Sequence, residues 1–254
     1  MTDLEDRVIV VTGGARGIGG ATAAVLAERG AQVVIGDLLE EAGTATAATI
    51  DAGGRGGAEF RRLDVTDPDG VARFAAAVLA AHGKVDGLMN NAGIVEDQST
   101  FELDLEVWSR TLAVNLTGSF LCARELGRSM AATGGGAIVN VSSIAGISAT
   151  HPEVHLAYDV SKAGVAQMTR SLAVEWVGHG IRVNAVAPGY THTQILDEVG
   201  SADPQTMSDW LGQIPTGRLI EPPEIATVVA FLLSDDASAV NGHILAADAG
   251  YSIY

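Results

Sequence analysis

Cysteine is almost missing from this chain. Cys122 stands alone among 254 residues, so no internal disulfide can form, and a reducing cytoplasm is the expected compartment. Long apolar runs are missing too. Hydrophobic residues make up 47% of the sequence, but most are dispersed Ala and Val. The densest stretch, Val228 to Leu233, is far too short to cross a bilayer. The opening residues Met1-Thr2-Asp3-Leu4-Glu5-Asp6 are acidic where a secretory leader is basic and then apolar, so no membrane association is expected. Basic residues are scarce: 15 Lys and Arg face 31 Asp and Glu, a net charge of −16. Such a surface repels nucleic acid, anionic lipid and acidic carrier proteins, leaving small molecules as the expected partners.

What is present is a rhythm. Short Val/Ile-rich runs suit strands at Arg7–Thr12, Gln32–Asp37, Glu59–Asp64, Val85–Asn90, Ala137–Ser142, Arg182–Ala187 and His243–Ala247. Ala-rich segments of helical period lie between them, at Gly17–Arg29, Glu40–Ala52, Pro68–His82, Leu105–Ala132, Tyr158–Gly178 and Pro223–Leu233. Several strands are apolar at consecutive positions, as strands covered on both faces must be. The alternation predicts an α/β fold: one Rossmann-like domain over 1–254, a doubly wound parallel sheet of about seven strands flanked by helices. Residues 190–220 break the rhythm and would overhang the carboxyl ends of the strands, which makes them a candidate substrate lid.

The first expected strand runs into Thr12-Gly13-Gly14-Ala15-Arg16-Gly17-Ile18-Gly19. Glycines between a strand and a helix permit a tight turn and close approach of a pyrophosphate to a helix N-terminus. Here the spacing is G-x3-G-x-G. The second strand ends at Asp37, whose carboxylate can accept from ribose hydroxyls and repel a 2′-phosphate, favouring NAD over NADP. Arg16 is the counter-signal, since a guanidinium can bind that phosphate.

Tyr158 and Lys162 are four residues apart and share a helix face. A tyrosine of pKa about 10 needs about 4 kcal/mol of differential stabilisation to act as a base near neutrality, which a neighbouring ammonium and an oxidised nicotinamide could supply. Ser142-Ser143 end the fifth strand and Asn90-Asn91-Ala92-Gly93 the fourth. Asn115 sits in a helix interior, where asparagine is intrinsically unfavourable and suggests a specific hydrogen-bonding task.

In this order, over essentially the whole length, these motifs resemble the short-chain dehydrogenase/reductase family. The resemblance implies cofactor contacts from Gly13, Arg16, Gly17, Ile18, Gly19 and Asp37, from Asp64-Val65 at the adenine, and from Asn91, Ala92 and Gly93. It adds Pro188, Gly189, Thr191 and Thr193 at the nicotinamide, together with Tyr158 and Lys162. It further implies a catalytic tetrad: Tyr158 as general acid/base, Ser143 donating to the substrate oxygen, Lys162 on the ribose and lowering the Tyr158 pKa, and Asn115 holding a relay water. Asp248-Ala249-Gly250 resembles the family's C-terminal Asp-Gly-Gly. One departure stands out. Ser143 precedes Tyr158 by fifteen residues, where many members have thirteen; sugar- and polyol-oxidising members show a similar spacing.

The expected activity is hydride transfer between NAD and a secondary alcohol or ketone, with a lean to polyols or sugar derivatives. Alternatives are a hydrophobic alcohol or hydroxysteroid dehydrogenase, a ketoacyl-carrier-protein reductase, and a non-catalytic NAD sensor. His151, Glu153, His155, Tyr190, His192, Ile195, Met207 and Trp210 are expected to face substrate. His151 and His155 lack companions at ligand spacing, so no metal is expected. The family likeness also implies a homotetramer, built through the helices containing Asn115 and Tyr158.

Overall fold

An unbroken Val-Ile-Val-Val-Thr run has no polar face to turn to water, and Val8–Thr12 (β1) is buried at all five positions. In this computed structural model, which describes residues 3–53, 55–194, 196 and 204–253, β1 is central in one sheet. The other strands are Gln32–Asp37 (β2), Gly57–Arg62 (β3), Gly87–Asn90 (β4), Gly136–Val141 (β5), Ile181–Pro188 (β6) and Ile244–Ala247 (β7). Their order is β3-β2-β1-β4-β5-β6-β7 and every pairing is parallel. The chain is thus a single-domain, Rossmann-like α/β protein. The order reverses between β1 and β4, and that switch point opens a crevice at the carboxyl ends of the strands.

Alternate side chains feed two cores. Ile9, Val11, Val33 and Ile35 pack with Gly17–Glu28 (α1), Glu40–Asp51 (α2) and a late helix, Pro222–Leu233. Val8, Val10 and Val34 pack on the opposite face with Pro68–His82 (α3) and, through Leu121, Leu126 and Leu172, with the middle helices.

Four elements differ from expectation by two residues or more. β3 begins at Gly57 and ends at Arg62, because its pairing runs from Gln32↔Gly57 to Asp37↔Arg62. Asp64 then turns the chain, its Oδ1 accepting from Thr66 N (2.9 Å) and Thr66 Oγ1 (2.6 Å). β4 starts after Asp86, whose carboxylate accepts from Val8 N (2.7 Å) where a strand neighbour would stand. The expected helix Leu105–Ala132 is three pieces: Leu105–Leu112 (α4), a π-helical turn Ala113–Gly118, and Ser119–Thr133 (α5). Helix Leu156–Glu175 (α6) starts two residues before Tyr158.

Within residues 190–220 lies a helix that their composition concealed, Pro204–Gln213 (α7). Its Trp210, with Ile214 just past its end, buries against Ile144 and Tyr190 in a small cluster of their own. Pro222–Leu233 (α8) follows, opened by a Glu221/Glu224 capping box.

Candidate active site

A cavity of about 590 Å³ lies over the switch point. At one end is the glycine turn. Gly13 (φ +63°) and Gly17 (φ +58°) adopt the left-handed conformation that L side chains rarely take. A Cβ at Gly17 would meet only Thr193 Cγ2 at 3.8 Å, so the turn leaves open space against its backbone. Gly19 is a packing glycine instead: a Cβ there would lie 2.2 Å from Gly13 O and 2.5 Å from Asn91 Nδ2. That Asn91 amide donates to Gly13 O (2.8 Å) and Thr12 O (3.1 Å), tying the turn to the end of β4. No acidic residue occupies the first turn of α1, so amides and helix dipole remain favourable to an anion. The cradle fits a dinucleotide pyrophosphate.

Asp37 lines the same end, with Oδ2 accepting from Ala15 N and Oδ1 from Leu39 N, both at 3.0 Å. Arg16 is exposed and donates to Gln194 Oε1 at 3.0 Å. Ile18, Asp64, Val65, Asn91, Ala92 and Gly93 line the cavity. Thr66 holds the Asp64 carboxyl below its ordinary value. Pro188, Gly189, Thr191 and Thr193 form the facing wall.

Ser143, Tyr158 and Lys162 meet near the middle. Ser143 is buried and its Oγ accepts from Ala145 N (3.2 Å), which leaves its proton free to donate. Lys162 is buried; its Nζ donates to Val141 O (2.8 Å) and lies 5.5 Å from the Tyr158 ring centre. Burial pushes this ammonium down to about 8. Tyr158 faces the same cavity. Burial raises its hydroxyl above the ordinary value, Ser143 hydrogen bonding opposes this, and Asp159 adds to it.

Asn115 stands behind the cavity, fully buried in the π-helical turn. Its Oδ1 accepts from Ile94 N (2.8 Å), and its Nδ2 donates to Ile94 O (2.9 Å) and Ser161 Oγ (3.0 Å). Ser161 Oγ in turn donates to Tyr158 O (2.6 Å). Asn115 is therefore linked, through Ser161, to the backbone that carries Tyr158. Sequence reasoning missed Ser161; its signal is its place three residues after Tyr158.

Glu153, His155, Tyr190 and Trp210 line the remaining end. His151, His192 and Met207 do not. His151 is exposed, and its carbonyl accepts from Gln213 Nε2. His192 faces Glu221 at 3.4 Å, and Met207 packs beside Trp210. Ile195 lies outside the described residues. His155 approaches Asp159, Nδ1 to Oδ1 2.7 Å, and among the described residues no group of three His, Cys, Asp or Glu could hold a metal. No helix of the described residues is long and apolar enough to cross a membrane.

A doubly wound sheet with this glycine turn and this Tyr–Lys–Ser cavity defines an oxidoreductase of CH–OH groups with a nicotinamide-dinucleotide, NAD(P), cofactor. Comparison with known proteins agrees. A family model described as enoyl-(acyl carrier protein) reductase matches residues 13–252. The chain is 49% identical to cis-4-hydroxycyclohexanecarboxylate dehydrogenase of Sinomonas cyclohexanicum, over 97% of both chains. It is 42% identical to D-threitol dehydrogenase of Mycolicibacterium smegmatis, over 98% of this chain and 94% of the relative. The crystal structure of gox2181 superposes with a TM-score of 0.96 at 38% identity, covering 99% of this chain and 98% of that one. The chain belongs to the short-chain dehydrogenase/reductase family.

Proposed function

We propose that the protein oxidises a secondary alcohol of the polyol or cyclic-alcohol type, or reduces the matching ketone, with NAD as its cofactor. The observation that carries this reading is one cavity holding Tyr158, Ser143 and Lys162 alongside the glycine turn and Asp37. Tyr158 Oη removes the hydroxyl proton of the alcohol and returns it in the reverse direction. Ser143 Oγ donates to the substrate oxygen and stabilises the charge that develops there. The bound dinucleotide supplies the hydride acceptor and, when oxidised, a positive charge beside the phenol. That charge would favour the phenolate of Tyr158, whose hydroxyl its surroundings raise above the ordinary value.

Lys162 and Asn115 serve the proton's onward path. A Cβ on Gly93 would sit 3.3 Å from Asn115 Oδ1 and 3.5 Å from Lys162 Nζ, so a water beside Gly93 would join the two. Asp37, with each oxygen already bound to a backbone amide, offers its remaining lone pairs to ribose hydroxyls. The engagement of Arg16 with Gln194 supports NAD over NADP. Residues 190–220 act as the substrate lid, anchored by Trp210. Assembly as a homotetramer is supported by exposed apolar side chains on α4, α5 and α6: Leu105, Phe120, Val160 and Val174.

The test is NADH and NADPH formation across polyols, cyclic diols, hydroxy acids and hydroxysteroids. An NADH signal with polyols or cyclic diols is expected. Reaction with none of them would remove the reading.

A further inference from the structure

We propose that Glu153 sets substrate specificity: its carboxylate receives a second hydroxyl of a neutral diol or polyol and turns away substrates that carry a carboxylate. The inference rests on the alcohol-oxidising function proposed above and names its substrate class.

Glu153 shares the cavity with Tyr158 and Ser143. Its carboxylate is gripped by two neutral donors. Tyr190 Oη donates to Oε1 at 2.9 Å and to Oε2 at 3.1 Å, and Trp210 Nε1 donates to Oε1. Both donors are themselves fixed. Their rings stack at 5.1 Å, and Tyr251 meets Tyr190 edge-on at 5.5 Å. A carboxylate has about four acceptor sites, so this grip leaves Oε2 able to accept from a ligand. Neutral donors orient the charge without cancelling it.

Among the described residues no Lys or Arg pairs with the Glu153 carboxylate, whose donors are Tyr190 and Trp210. The cavity-lining residues between 91 and 97, between 143 and 158, and between 188 and 210 include neither Lys nor Arg. Lys162 is committed to Val141 O, and Arg16 lies at the nucleotide end. The acidity of this end is also felt by Asp159, whose carboxyl is raised by burial first and then by Glu153 and Asp97, against the lowering effect of His155. An anionic substrate would place like charges together in a partly dehydrated cavity. A hydroxyl would satisfy Oε2, and a ligand lacking one would leave it unpaired.

Two probes of matched skeleton separate these cases: cis-1,4-cyclohexanediol, which is neutral, and cis-4-hydroxycyclohexanecarboxylate, the anion for which the Sinomonas relative is named. Each is measured twice, by calorimetry against the protein–NADH complex and by kcat/KM. The wild type is expected to favour the diol by at least about tenfold, the scale of one unfavourable polar contact. Glu153→Gln keeps an oxygen for Tyr190 and Trp210 but removes the charge. It is expected to shrink that ratio about tenfold, mainly through KM, with NADH affinity unchanged. Equal use of the two probes by the wild type, a ratio unmoved in Glu153→Gln, or binding of neither probe would overturn the inference. Selective diol binding without turnover would sustain it and sink the functional reading instead.

Discussion

Two adjacent glycines make opposite predictions. At Gly19 an added Cβ would stand 2.2 Å from Gly13 O and 2.5 Å from Asn91 Nδ2, and at Gly20 the nearest atom would be Gly14 O at 3.5 Å. The first is a collision with backbone; the second is ordinary contact. Relieving the collision means moving the turn or displacing the Asn91 amide that ties β4 to it. Overpacking of this kind costs about 1–3 kcal/mol. For a chain of this size that lowers Tm by roughly 2–12 °C, at about 2–4 °C per kcal/mol. Gly20→Ala should instead gain up to about 1 kcal/mol from helix propensity and raise Tm slightly. Nucleotide affinity separates the two further. Gly19→Ala should weaken NADH binding by at least about tenfold, as expected for the loss of ~1.4 kcal/mol, while Gly20→Ala leaves it intact. Thermal unfolding and calorimetric titration on both variants supply the data. Indistinguishable variants would refute the claim that the close packing of Gly19 shapes the turn.

Other outcomes follow from the same geometry. Tyr158→Phe should abolish turnover and leave NADH binding nearly unchanged, because only the hydroxyl is lost; residual wild-type activity would exclude Tyr158 as the acid/base. Asp37→Ala should narrow the ratio of kcat/KM with NAD to that with NADP, and an unchanged ratio would assign cofactor choice elsewhere. Burial raises Tyr158, so above about pH 10 the unfolded chain loses this proton while the folded one keeps it, and its contribution to stability falls as pH rises. Difference absorbance against Tyr158→Phe should show no phenolate step near neutrality in the cofactor-free protein; a step there would contradict the burial. Lys162 acts in the opposite sense. With its folded value down to about 8, the unfolded chain holds the extra proton from there to about pH 10.4, and stability gains over that window. Urea midpoints of wild type and Lys162→Met across that range should diverge.

The readable parts of the sequence were those governed by local periodicity. Val8–Val11 is apolar at every position because helices cover both faces, and the Tyr158–Lys162 spacing places both groups on one side of α6 in any helical register. Other features depend on partners far along the chain. Glu153 is 37 residues from Tyr190 and 57 from Trp210, so its grip exists only after those two side chains pack against it. α7 was hidden because its Gly212 and the prolines around it read as loop, while its stability comes from burying Trp210 and Ile214. The end of β3 is set by pairing with Asp37 and by the Asp64–Thr66 turn, neither of which hydrophobic pattern reveals. Tyr158 lines the cavity, and the enclosure that raises its hydroxyl depends on distant segments that no local pattern reveals.

The π-helical turn at Ala113–Gly118 also constrains how this chain can change. Relative to an α-helix such a turn carries one surplus residue, and each residue of an α-helix turns the chain by about 100°. Deleting one residue here would let α4 and α5 merge into a more regular helix, yet would swing Asn115 away from Ile94 and Ser161 or shift every contact of α5 behind it. The irregularity is thus a local optimum for the cavity and not for the helix. Single deletions in this segment should be among the least tolerated in the chain, and engineering for thermostability by smoothing this helix would work against turnover.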